Sequence, residues 1–290
     1  MESSIAFIGF GEAASAFVGG ASGARAYDLK TDAAETRAAK LADYAKADVI
    51  GVSSAAEAVR DAGAVLSLVT ADQALPAARH AAGLLRAGTL WLDMNSVAPD
   101  TKRAAAGAIE DAGGRYVDVA VLAPVHPQGL AVPLLVSGSH AEAGAAQLRA
   151  IGFTNVRIIA GGVGKASAIK MIRSVMVKGL EALTAEWILA AEAAGIRGEA
   201  VAALNASWPG TDWAAKADYN LERMLVHGVR RAAEMDEVVK TLDALGTGSA
   251  MTRGTVERQR AIGERALTAP AALDDKLALL LGKPDNKEAA

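Results

Sequence analysis

The first residues whose types and spacing point to chemistry lie near the N-terminus. Gly9-Phe10-Gly11-Glu12-Ala13-Ala14 has the form G-x-G-x-x-A, follows the apolar run Ile5-Ala6-Phe7-Ile8 and opens an alanine-rich stretch. That spacing suits a dinucleotide. The first glycine permits a tight strand-to-helix turn, the second lets a pyrophosphate approach bare backbone, and the small last residue lets the helix pack closely on its sheet. The helix N-terminus adds free N–H groups and the positive end of the helix dipole. Gly9, Phe10, Gly11, Glu12 and Ala13 are thus the expected pyrophosphate turn, with Ala14 as the packing position. Asp28 closes the next strand-like run, near the spacing of a ribose-binding carboxylate. Such a carboxylate accepts hydrogen bonds from adenosine ribose hydroxyls and repels a 2′-phosphate, which favours NAD over NADP. Arg25 and Lys30 stand close enough to soften that preference. The plainer alternative is a turn without a ligand and an ordinary strand-end carboxylate.

These residues need a sheet to hold them. Short β-rich runs occur at residues 4–8, 24–29, 48–52, 64–70, 89–94 and 115–121, and helical stretches such as 33–45 and 100–112 fall between them. A helix is expected over 11–18, and two further strand-like runs lie at 132–137 and 155–160. Strands spaced by helices imply βαβ units, a mainly parallel sheet and right-handed crossovers. Ligands bind at the C-terminal ends of such strands, so Val69 and Thr70 after the fourth run, with Asn95 and Ser96 after the fifth, are expected beside the nicotinamide and its ribose. Asp93 and Asp118 read instead as structural loop anchors.

From residue 166 the pattern becomes helical. Ile169, Ile172, Met176, Leu180, Leu183 and Trp187 recur at steps of three and four across an expected helix at 166–193. Pro209-Gly210 marks a break, and a second long helix is expected at 220–245, ended by Gly246. The fold class is therefore α/β, a doubly wound sheet followed by an all-helical domain. The boundary falls near Gly161-Gly162-Val163-Gly164, giving domains 1–162 and 163–290.

Composition narrows the partners. The chain has 290 residues, 52% of them hydrophobic and 22% charged, enough to build a core and stay soluble. With 30 basic and 33 acidic residues and a net charge of −3, no basic excess exists to hold nucleic acid. The absence of cysteine removes disulfides, thiolate metal sites and a cysteine nucleophile, and no metal is expected. The longest uncharged run, 119–141, carries Pro124, Pro127 and Pro133, which would break a membrane-spanning helix. The N-terminus lacks a basic export-signal region, so a cytoplasmic protein is expected, with no membrane partner.

The chain resembles the β-hydroxyacid dehydrogenase family, which includes 3-hydroxyisobutyrate dehydrogenase, tartronate semialdehyde reductase and 6-phosphogluconate dehydrogenase. The resemblance rests on the Gly9–Ala14 turn, Asp93-Met94-Asn95-Ser96-Val97-Ala98-Pro99, Tyr116-Val117-Asp118-Val119-Ala120, and the stretch 164–174. The run Ala166-Ser167-Ala168-Ile169-Lys170-Met171-Ile172-Arg173-Ser174 looks most like an uncharacterised branch with a divergent C-terminal domain. It implies a Rossmann-type NAD(P)-binding domain, a long interdomain helix and a helical domain that completes the active site and often dimerises, hence a homodimer.

The resemblance makes Lys170 the general acid/base. Oxidising an alcohol needs a proton taken from oxygen as hydride leaves carbon. An amine whose pKa is lowered by burial and neighbouring cations can take that proton near neutral pH. Lys170 lies near the start of its helix, where the positive dipole end opposes protonation. Arg173, Ser174 and Lys178 follow by three, four and eight residues and share roughly its face. The cations suit an anionic substrate. A solvated amphipathic helix with surface lysines is the alternative.

Three departures from the family pattern bear on substrate. Ser174 stands where the family has asparagine, and Gly164-Lys165-Ala166 replaces its glycine-x-glycine. Leu122-Ala123-Pro124 replaces a Ser-Gly-Gly that holds the substrate carboxylate, so Leu122 implies a different substrate group, with His126 as either a donor or a plain loop histidine. The family's late lysine gives way to a segment containing Arg230 and Arg231; either Arg230 or Arg231 binds an anionic substrate group or, equally, both belong to the surface or a dimer interface. The reading is an NAD(P)-dependent dehydrogenase acting on a β-hydroxyacid or related, anionic alcohol. The alternatives are an imine reductase-like enzyme, which Lys170 disfavours, and a non-catalytic dinucleotide-binding protein.

Overall fold

The computed structural model describes residues 4–21 and 23–282. The chain divides into two compact units, Met1–Met171 and Ile172–Ala290.

The first unit is a single eight-stranded sheet with helices on its faces. In chain order its elements are β1 (Ile5–Ile8), α1 (Glu12–Ala16), β2 (Arg25–Tyr27), α2 (Ala34–Lys46), β3 (Ile50–Gly51), α3 (Ala55–Val59), β4 (Ala64–Ser67), α4 (Ala74–Ala82), β5 (Leu90–Asp93), α5 (Pro99–Asp111), β6 (Arg115–Val121), β7 (Leu134–Ser137), α6 (Ala141–Ile151) and β8 (Val156–Ile158). The strand order is β3-β2-β1-β4-β5-β6-β7-β8. Every neighbouring pair is parallel except β6 with β7. Alternation along the strands feeds two cores. Phe7, Leu66, Leu92, Val117 and Val119 pack on one face, while Ile8, Val65, Trp91 and Tyr116 pack on the other. Buried alanines such as Ala78, Ala81, Ala105 and Ala106 let the helices approach that second face closely.

The first helix is shorter than its alanine pattern predicts. α1 ends at Ala16, and Phe17 and Val18 turn into the core, where Phe17 meets the Phe153 ring edge-on at 4.9 Å. The glycine that follows is required: a Cβ on Gly20 would lie 2.7 Å from the Ile151 carbonyl oxygen.

The helix α7 (Lys165–Ala193) begins in the first unit, and the division falls inside it. The second unit continues with α8 (Arg197–Ser207), α9 (Trp213–Ala244), α10 (Ala250–Gly263) and α11 (Leu273–Leu281) around a core of Ile188, Leu221, Met224, Ile262 and Leu277. α9 starts seven residues before the expected 220, because the Asp212 side chain caps it by accepting the Ala215 N–H at 3.0 Å. α9 and α10 meet backbone to backbone: a Cβ on Gly228 would lie 2.8 Å from the Gly263 Cα. No helix among the described residues is long and apolar enough to cross a membrane.

Candidate functional site

One row of the sheet organises the site. Tyr27, Ile8, Ser67, Asp93, Asp118 and Ser137 are register partners across adjacent strands. Tyr27, Ile8, Ser67 and Asp93 are each the last residue of their strand. The row therefore marks the C-terminal edge of the parallel strands, where ligands bind in such sheets.

The chain leaves β1 through Gly9, whose φ of +82° suits glycine. Gly9 donates its N–H to the Tyr27 carbonyl at 2.8 Å. A Cβ at Gly9 would sit 2.5 Å from the Leu68 carbonyl oxygen and 2.7 Å from Val69 Cγ1, so the turn lies hard against the end of β4. β1 and β4 are adjacent although three strands apart in order, which is the topological switch point of the sheet. The Phe10 ring is buried against Phe7 and Tyr44. Its N–H donates to Asp28 Oδ2 at 2.7 Å, and the Lys30 N–H donates to Asp28 Oδ1 at 2.9 Å. Both Asp28 oxygens are thus oriented by backbone, with lone pairs left over for a ligand. Gly11 caps α1 with open space where a Cβ would stand. Glu12 is exposed, Ala13 half-buried and Ala14 buried. Beside this turn the Tyr27 hydroxyl donates to Asp32 at 2.6 Å. Partial burial, then that bond and the Asp32 charge, push the Tyr27 phenol up to about 12.

The loop after β5 is clipped to the loop after β4. Asn95 Oδ1 accepts the Val69 N–H at 2.7 Å, while Asn95 Nδ2 donates to Ser67 Oγ at 3.0 Å and Asp93 Oδ1 at 2.8 Å. The Asn95 side chain is therefore spent on holding Val69. Ser96 Oγ is buried and has no hydrogen-bond partner among the described residues, and Thr70 is exposed.

Sequence reading singled out Asp93 and Asp118 as anchors but missed what joins them. Lys102, fully buried on α5, donates to Asp93 Oδ1 at 2.9 Å and stands 3.5 Å from Asp118 Oδ1. Tyr116 donates its hydroxyl to Asp93 Oδ2 at 2.6 Å, and burial together with that carboxylate drives its phenol well above the usual range. Asp118 Oδ2 accepts the N–H groups of Gly164 at 3.0 Å and Ser167 at 3.1 Å, and the Ser137 hydroxyl at 3.0 Å. Ser137 Oγ in turn accepts the Ala166 N–H at 3.0 Å. The start of α7 is thus bonded to the polar row, which caps orphan donors of its first turn. Lys170 follows Ser167 by three residues and is half-buried. Leu122 is half-buried among Ala120, Leu135, Ile159 and Ala166, and His126 is exposed.

Within the second unit Ser174 is buried and Arg173 exposed. Lys178 and Arg231 are also buried, but each comes with a carboxylate that sequence reading overlooked. Lys178 Nζ lies 2.5 Å from Glu234 Oε2, and Glu234 is also bridged by exposed Arg230 at 3.2 Å. Arg231 grips Glu181 with both Nε and Nη2, the former at 3.1 Å, and Gln259 Nε2 donates to the same carboxylate at 2.9 Å. Burial lowers the Lys178 pKa, opposed by the Glu234 charge. Glu181 lies three residues after Lys178 on α7, the one local hint that this helix face carries both signs.

Residues 4–151 match the NAD binding domain of 6-phosphogluconate dehydrogenase, and residues 191–262 match a domain of unknown function, DUF1932. The chain belongs to the β-hydroxyacid dehydrogenase family. Its branch has a divergent C-terminal domain. A conserved hypothetical protein from Sinorhizobium meliloti 1021 is 37% identical, covers 98% of this chain and 97% of its own, and superposes with a TM-score of 0.74. A conserved protein of unknown function, described as structurally similar to 3-hydroxyacid dehydrogenases, is 28% identical over 91% of this chain and 99% of its own, with a TM-score of 0.65. Mycobacterium tuberculosis 3-hydroxyisobutyrate dehydrogenase with L-serine shares the fold at 17% identity, covering 97% of this chain and 99% of its own with a TM-score of 0.73. No curated protein matches the chain.

Membership in this family indicates a nicotinamide dinucleotide cofactor, and the residues present fit one. The open backbone at Gly11 leaves room for a pyrophosphate, Asp28 keeps acceptor capacity for ribose hydroxyls, and Ser96 Oγ is a buried polar atom awaiting a partner. Among the described residues no group of three His, Asp or Glu side chains gathers that could hold a metal ion.

Proposed function

We propose that this protein is an NAD(P)-dependent oxidoreductase that interconverts an alcohol and its carbonyl, with Lys170 as general acid/base. The observation that carries this reading is the bonding of the first turn of α7 to Asp118 and Ser137. It roots the helix bearing Lys170 in the strand edge that also carries the Gly9 turn.

The bound nicotinamide supplies the hydride acceptor or donor. The chain supplies binding, orientation and proton transfer. In the oxidising direction the Lys170 amine accepts the hydroxyl proton, and in reduction it returns that proton to the carbonyl oxygen. Lys170 is half-buried, six residues into α7. Ser174, one turn further on, orients the substrate hydroxyl. Gly9, Phe10, Gly11, Glu12 and Ala13 hold the pyrophosphate through backbone, and Asp28 holds the adenosine ribose and favours NAD. Val69, Thr70, Asn95 and Ser96 flank the nicotinamide end. Leu122, Arg173, Lys178 and Arg231 border the substrate. In this reading residues 1–162 bind cofactor, and residues 163–290 bind substrate and form a homodimer. Exposed apolar side chains on one stripe of α7, with Ile172 at 50%, Met176 at 64% and Leu183 at 57%, support a second copy as the dimer partner.

The test is an assay of the purified protein with NAD⁺ and NADP⁺ against 3-hydroxy acids and uncharged diols, alongside calorimetric binding of NADH and sedimentation. Cofactor reduction by an alcohol in a dimer is expected. NADH binding without turnover of any alcohol would favour a dinucleotide sensor, and reduction of imines alone would favour the imine reductase alternative.

A further inference from the structure

Lys178 and Arg231, two of the buried cations of the helical unit, are already neutralised. Lys178 pairs with Glu234 at 2.5 Å, and Arg231 is held by both oxygens of Glu181. A substrate carboxylate brought to either cation would lose its hydration and meet a carboxylate at the same distance scale as the cation. The Coulomb gain that offsets desolvation would be missing.

The same cluster carries a surplus of acceptors. Gln259 is fully buried, yet its Oε1 accepts no hydrogen bond among the described residues. Exchanging the amide's oxygen and nitrogen does not remove the vacancy. That exchange would set an acceptor 2.9 Å from Glu181 Oε2, where Nε2 now donates. An unsatisfied buried acceptor is destabilising, and a donor group would relieve it. The complement of the cluster is therefore an uncharged donor and not an anion. One sequence departure agrees: Leu122 stands where the family this chain resembles has a serine that holds the substrate carboxylate.

We propose that the Lys178–Glu234 and Arg231–Glu181–Gln259 cluster selects an uncharged, hydroxyl-bearing substrate over the carboxylate of the same shape. This rests on the dehydrogenase reading and names its substrate class. The role of Glu234 is specific: it masks the Lys178 charge that would otherwise recruit an acid.

The test compares a matched pair, 3-hydroxyisobutyrate and 2-methyl-1,3-propanediol, on the full chain. With NAD⁺, kcat/KM for the diol should exceed that for the acid by at least about tenfold, and Glu234→Gln should move the ratio toward the acid by about tenfold or more. A wild type that prefers the acid, or a ratio unmoved by Glu234→Gln, overturns the proposal. Calorimetry on the NADH-loaded wild type reads the same preference without turnover. Tighter binding of the diol with no turnover of either compound supports the substrate class and overturns the dehydrogenase reading. Tighter binding of the acid, or binding of neither compound, overturns the substrate class.

Discussion

Asp118 accepts the backbone N–H of Ser167 at 3.1 Å, so a carboxylate inside the sheet caps the helix that bears Lys170. That carboxylate is fully buried and shares Lys102 with Asp93, so the helix start, α5 and two strands depend on one ammonium. Replacing it should be costly, because two buried carboxylates would lose their only buried cation among the described residues. Lys102→Met is expected to lower the unfolding free energy by about 3–5 kcal/mol. Urea denaturation measures it, and a loss below about 1 kcal/mol would mean that the polar row is not coupled as its distances imply.

Gly9 carries the second prediction. Gly9→Ala adds a Cβ 2.5 Å from the Leu68 carbonyl oxygen at a φ of +82°. Strain and overpacking together should cost about 2–4 kcal/mol. NADH affinity should fall with it, since the turn must move away from β4. Calorimetry and urea titration on the same variant give both numbers, and an unchanged affinity would detach this turn from cofactor binding.

How much of this was legible beforehand depends on the separation of the partners. Parallel strands buried on both faces read as short apolar runs, so β1, β4, β5 and β6 were visible in the order of residues. The Gly9 turn and Asp28 were legible because 18 residues separate Phe10 from its acceptor, within one strand-helix-strand unit. The Lys102 link was not, since it needs the register that sets Asp93 beside Asp118. Glu234 and Glu181 were missed as partners because they lie 56 residues from Lys178 and 50 from Arg231, across packed helices that spacing cannot align. Helix ends set by capping, such as Asp212, were present in the sequence but weaker than the apolar periodicity around them.

Asp28 tests cofactor choice. Under the proposed function, Asp28→Ala removes both an acceptor for ribose hydroxyls and a negative charge that would face a 2′-phosphate. The ratio of NADH to NADPH affinity should shift toward NADPH by about tenfold, or about 1.4 kcal/mol. An unaltered ratio would assign Asp28 only to its backbone partners, Phe10 and Lys30.

Tyr27 predicts a pH dependence. Its phenol is raised from 10.0 to about 12, so the folded chain holds that proton more tightly than the unfolded chain does. The stability gained is whole below pH 10 and is lost as the pH rises through about 12. The gap in unfolding free energy between wild type and Tyr27→Phe should therefore narrow from neutral pH toward about 12. A gap that stays constant over that window would contradict the bond from Tyr27 to Asp32.

The account's central claim is that the Lys170 amine moves the substrate proton. Single-turnover hydride transfer by wild type and Lys170→Ala, each loaded with NAD⁺ and saturated with the best alcohol, tests it most directly. The expected result is a rate lower by about 10²- to 10⁴-fold in the variant, with NADH affinity unchanged. A variant that transfers hydride as fast as wild type would contradict the claim.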